Sequence, residues 1–88
     1  MLFHVTWTLS PDQRDAAQTR FKETGAPPPD GVTMLGRWHC AEGLTGFAIA
    51  DCSDAVAIGK WVQSWTDILT FEITPVLTDE QFIEVASS

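Results

Sequence analysis

Three observations in the 88 residues predict an α+β domain with the element order β-α-β-β-α-β. Apolar residues fall at every second position in "LFHVTWTL" and in "LTFEITPVL", the period of a half-buried strand. They fall at helical spacing in "DAVAIGKWVQSWTDI". Between these segments, "MLGRWHCAEGLTGFAIA" reads as two extended runs folded about Glu42-Gly43, a β-hairpin.

The first strand is predicted over residues 2–9, with Phe3, Val5, Trp7 and Leu9 on one side and His4, Thr6 and Thr8 on the other. A helix over 11–24 follows, with Ser10 as N-cap, Pro11 in the first turn and Gln13 completing a capping box. Its apolar stripe is thin: Phe21, Ala17 and Ala16. Gly25 suits a left-handed C-cap. "APPPDG" is a stiff connector that turns at Asp30-Gly31. The hairpin strands are predicted over 32–41 and 44–51, and the second helix over 53–66, capped by Ser53 or Asp51. Ala55, Ile58, Val62 and Trp65 form its core stripe, with Trp61 beside it at a sheet edge or an interface. A last strand covers 69–76, its end marked as an edge by Pro75. A short helix over 79–86 is capped by Thr78 with Gln81.

This order is the split βαβ, or ferredoxin-like, two-layer sandwich. Right-handed crossovers place both main helices on one face of a four-stranded antiparallel sheet. The expected strand order is fourth, first, third, second. With Glu42-Gly43 at the turn, Trp38 pairs with Phe47, Gly36 with Ile49, Arg37 with Ala48, His39 with Gly46 and Leu35 with Ala50. Trp38, Phe47 and Ile49 are then expected under the helices with Phe3, Val5 and Trp7, and Trp38, Trp7 and Trp65 in the core. The other face would collect His4, Thr6, Arg37, His39 and Glu72 over the small residues Gly46, Ala48 and Ala50. Convergent polar groups over a concave floor are the usual form of a ligand site. Those five residues are the predicted ligand-binding set.

Composition narrows the partners. Twelve carboxylates and five bases give a net charge of −7. The bases Arg14, Arg20, Lys22, Arg37 and Lys60 are nowhere adjacent, so no phosphate-binding patch forms. Nucleic acid and membrane are therefore not expected as partners, and no apolar run is long enough to span a bilayer. "MLFHVTWTL" lacks the basic start of a secretory leader. Cys40 and Cys52 have no metal or redox spacing, and free thiols imply a cytoplasmic protein.

Arg20-Phe21, Gly25, "PPDG" at 28–31, Trp38, the run Asp54, Trp61, Trp65, Asp67, and "FEITPV" at 71–76 together resemble a family of short bacterial and cyanobacterial proteins known only as a domain of unknown function. The resemblance covers nearly the whole chain. It implies kinship with the dimeric α/β-barrel superfamily, in which two ferredoxin-like sheets close face to face. It therefore implies a homodimer enclosing the polar face. Monooxygenase and haem-degrading members of that superfamily use an Asn with a Trp and a Tyr or His. This sequence has neither Asn nor Tyr.

Two roles compete for Arg37 and Glu72. They form an anion clamp with a base, or they pair with each other across a dimer seam. His4, His39 and Glu72 have the composition of a two-His, one-carboxylate metal site but no motif spacing, so neither metal nor cofactor is assigned. The leading expectation is a dimer that binds a small, partly apolar or anionic molecule, with proton transfer or cofactor-independent oxygen chemistry as the reactions in view. A non-catalytic interaction or regulatory module and a haem-associated protein are the alternatives. The sequence names no reaction.

Overall fold

The alternating segments become strands where the period of two places them. A computed structural model describes residues 1–88. Strands β1 (Leu2–Thr8), β2 (Val32–His39), β3 (Thr45–Cys52) and β4 (Thr70–Val76) form one antiparallel sheet in the order β2-β3-β1-β4. This is the expected ferredoxin-like order. Helices α1 (Arg14–Thr24) and α2 (Ala55–Gln63) cover one face of the sheet, and α3 (Asp79–Ala86) follows β4.

The helix ends correct three local expectations. Ser10 makes no side-chain cap, because Pro11 opens a 3₁₀ turn, Pro11–Gln13, in which the Gln13 amide donates to the Ser10 carbonyl at 3.0 Å. Asp54, not Ser53 or Asp51, caps α2: its Oδ1 accepts from the Ala57 amide at 2.8 Å. That helix ends at Gln63, three residues early. The capping box of α3 forms as expected. Thr78 Oγ1 accepts from the Gln81 amide at 3.2 Å, and Gln81 Oε1 from the Thr78 amide at 2.9 Å. Gly25 closes α1 at φ 71°, and the next residue, Ala26, is also left-handed at φ 42°.

The core lies between the sheet and α2. Phe3 and Val5 of β1, Val32 of β2, and Ala48, Ala50 and Cys52 of β3 meet Ile58, Trp61 and Val62 of α2. Each large aliphatic side chain buried this way stabilises the domain by roughly 1.5–3 kcal/mol. Trp61 belongs to this core, 9% exposed, rather than to an edge or interface. No helix is long and apolar enough to cross a membrane. Both cysteines are free thiols.

Candidate functional site

One β-bulge decides which side chains reach the site. Val32 pairs with Cys52 and Met34 with Ala50, both on the helix side. Strict alternation would next turn Gly36 and Trp38 inward. Instead the register shifts between Met34 and Gly36, leaving Leu35 as the extra residue. Beyond it Gly36 pairs with Ile49, Arg37 with Ala48, Trp38 with Phe47 and His39 with Gly46. Ala48 is opposite Val5, and Gly46 is opposite Trp7, in the neighbouring ladder. Arg37 and His39 therefore share the inner face with Val5 and Trp7. Trp38, Phe47 and Ile49 share the outer face with His4, Thr6 and Glu72.

The expected faces of the hairpin are thus exchanged relative to β1. The predicted pairs Trp38–Phe47, Gly36–Ile49, Arg37–Ala48 and His39–Gly46 hold, while the pair Leu35–Ala50 is replaced by Met34–Ala50. Trp38 is 53% exposed and stacks on Phe47, ring centroids 5.3 Å apart. Each face keeps one tryptophan flat by means of a glycine. A Cβ at Gly46 would overlap the Trp7 indole and approach the Trp38 carbonyl oxygen to 2.9 Å. A Cβ at Gly36 would overlap the Trp38 ring.

Between α1 and the inner face lies a cavity of about 380 Å³. That is within the ~300–1,000 Å³ typical of small-molecule sites. Its floor is Val5, Trp7 and Ala48, its roof Ala17 and Phe21 of α1, and its far wall Trp61, Trp65 and Phe71. The lining is mostly hydrophobic, 14 of 20 residues. Arg37 and His39 stand at one end, with Lys22 nearby on α1. Small residues at 46, 48 and 50 keep β3 low, and the thin stripe of α1 leaves the space above it unfilled.

Arg37 is held from the connector. Its Nη1 donates to the Ala26 carbonyl at 2.6 Å and its Nη2 to the Gly25 carbonyl at 3.0 Å. Its guanidinium carbon lies 4.9 Å from the centroid of the Phe21 ring. Burial lowers its pKa, though it remains charged at neutral pH. The His39 ring meets Phe21 at 5.0 Å and Trp7 at 5.6 Å, both edge to face. Burial and then the Arg37 charge depress the His39 pKa, so the imidazole is neutral at pH 7. A neutral imidazole beside a guanidinium can accept a proton from a group held there.

A second arginine fixes the frame. Arg20 of α1 grips Asp67 with two bonds, Nη1 to Oδ1 at 2.9 Å and Nη2 to Oδ2 at 2.7 Å. It also reaches the Ser64 carbonyl at 3.3 Å and lies 5.0 Å from the Trp65 ring centroid. The motif residues Arg20, Trp65 and Asp67 thus clamp α1 to the loop before β4 and close one side of the cavity.

A family model described as a domain of unknown function, DUF3303, matches residues 1–88. The chain belongs to this family. No curated protein matches it. In this DUF3303 chain the predicted site residues divide between the faces. Arg37 and His39 reach the cavity together. His4, Thr6 and Glu72 lie on the outer face, with Thr6 opposite Glu72 and His4 opposite Thr74. An Arg37–Glu72 pair within one chain is therefore excluded by the sheet itself. So is a metal site uniting His39 with His4 and Glu72. Sequence reasoning missed Phe21, Trp61, Trp65 and Lys22 as lining residues. The available signal was the thin stripe of α1, too sparse to fill the space beneath a helix.

Proposed function

We propose that this DUF3303 domain binds a small, largely apolar molecule between its sheet and α1, and that it works as a homodimer in a reducing compartment. The observation that carries the binding role is the aromatic-walled cavity of about 380 Å³ beneath a helix that buries no residue of its own. A helix docked only for stability would seat its apolar stripe on the sheet. Here Ala17 and Phe21 face an open chamber instead.

The dimer rests on the outer face. Leu35 and Trp38 are more than half exposed there, and Phe47 is 37% exposed. The paired rows on this outer face carry only Glu72 and Asp51 as charged side chains. Beyond the sheet, Phe82, Ile83 and Val85 of α3 are each at least 60% exposed. A two-fold interface sets such a patch against itself and needs no complementary charge. The free Cys40 and Cys52 persist where thiols stay reduced.

Binding is tested with N-phenyl-1-naphthylamine, a neutral dye that brightens in apolar sites. One dye per chain is expected, and Ala17→Leu, which fills the roof, should weaken it. No brightening, or brightening unaffected by Ala17→Leu, overturns the cavity role. Sedimentation at micromolar concentration tests the dimer. The wild type should run as a dimer and Trp38→Asp as a monomer; a monomeric wild type removes that part of the proposal.

A further inference from the structure

The charges of the chain are sorted around the cavity. Carboxylates outnumber bases twelve to five over the whole sequence. The lining reverses this, holding Arg37, Lys22 and the titratable His39 but no Asp or Glu. The terminal amine pairs with Asp51, Arg14 with Asp15 and Arg20 with Asp67, whereas Lys22 and Lys60 are unpaired but exposed to water. Arg37 is the half-buried exception, bonded only to two backbone carbonyls. A guanidinium has five N–H groups, so those two bonds leave donors to spare.

Placing an unpaired cation in an apolar chamber costs stability unless an anion balances it. The strand-borne carboxylates, Asp51 and Glu72, both lie on the outer face, through the sheet from Arg37. From the sorting of charge and the spare donors we propose that the occupant is an apolar carboxylate, its acid group on Arg37 and His39 and its body among Trp7, Phe21, Trp61 and Phe71. This deepens the binding role proposed above and depends on it. A planar carboxylate matches the guanidinium fork, and His39 adds an N–H donor of its own that a nearby anion strengthens by favouring the protonated ring. Lys22, on the exposed side of α1, adds attraction at the mouth. The flat aromatic walls suit a ring-bearing or extended hydrocarbon body.

The test uses two matched pairs of probes at pH 7: 2-naphthoate with 2-naphthamide, and decanoate with decanamide. Each amide keeps the shape of its acid and lacks the charge. Calorimetric titration of the wild type should show an acid binding about ten- to a hundredfold tighter than its amide, the worth of a charge-assisted hydrogen bond. Arg37→Gln should weaken the acid far more than the amide and so erase that preference. Lys22→Gln, on an exposed helical position, should reduce it only in part. Equal binding of acid and amide overturns the carboxylate assignment but leaves the apolar cavity standing. A preference that survives Arg37→Gln in a folded variant also overturns it. If neither member of either pair binds, the cavity role fails and the carboxylate assignment fails with it.

Discussion

The two helices on the same sheet face do opposite work. α2 seats Ile58, Trp61 and Val62 on β1 and β3, while α1 buries nothing. α1 is held at its rim instead: Arg20 grips Asp67, and Arg37 grips the carbonyls that follow its C-terminus. One helix supplies the stability of the domain, and the other roofs a chamber at little cost to the core. A helix fixed by polar contacts at its edges can shelter a ligand that a fully seated helix would displace.

Substitutions should separate the two halves. Ile58→Ala is expected to have the largest effect on stability, about 2–5 kcal/mol by urea denaturation, because it opens a hole in packed core. A domain of this size has only about 4–13 kcal/mol to lose. In a close-packed layer Ala17→Leu would cost roughly 1–3 kcal/mol. Under α1 it should cost nothing or raise the melting temperature, because the added carbons meet empty space. A loss as large as that of Ile58→Ala would show that α1 is packed like α2, and the contrast between them would collapse.

The effect of pH should be smaller and should belong to the α1 side. Burial and Arg37 depress the His39 pKa in the folded protein, so the unfolded chain takes up this proton first. The stability associated with His39 is therefore complete above its ordinary pKa of about 6.5 and declines as pH falls through that value. His39→Phe should flatten this part of the stability–pH curve. A curve that falls equally in the variant would assign the titration elsewhere. The smallest expected effect is that of Arg20→Ala, since the pair is exposed to solvent and screened by salt. It should loosen α1 locally, seen as faster amide exchange in α1 than in α2, with little change in melting temperature.

The sequence disclosed the fold because its signals were periodic: four alternating runs, a helical stripe in 53–66, and turn chemistry at Gly25, Asp30-Gly31 and Glu42-Gly43. It disclosed Arg37 and His39 as a pair because residues two apart on a strand share a face. It did not disclose which face. Leu35 is an ordinary strand residue, and nothing in "VTMLGRW" marks it as the extra one. The bulge reverses the phase of β2 after Met34, while β3 runs unbroken against β1 with its small residues inward, so the large residues Trp38, Phe47 and Ile49 point to the wrong face when size is the guide. Trp38 misled in the same way: a tryptophan in an alternating run reads as core, yet here Gly36 gives it room to lie flat outside. Deleting Leu35 should straighten β2 and leave Arg37 facing inward, because Met34 and Gly36 would then follow one another in a regular ladder. Loss of dye binding in that variant would contradict the assigned phase.

The four tryptophans make the central claim directly observable. Trp7, Trp61 and Trp65 line the cavity, whereas Trp38 stacks on Phe47 across the sheet. Each indole N–H gives its own resonance in a proton–nitrogen correlation spectrum of labelled protein. On titration with 2-naphthoate, the resonances of Trp7, Trp61 and Trp65 should move together and saturate with one ligand per chain, while that of Trp38 stays in place. Movement of the Trp38 resonance with the other three unchanged would place the ligand on the outer face and contradict the account.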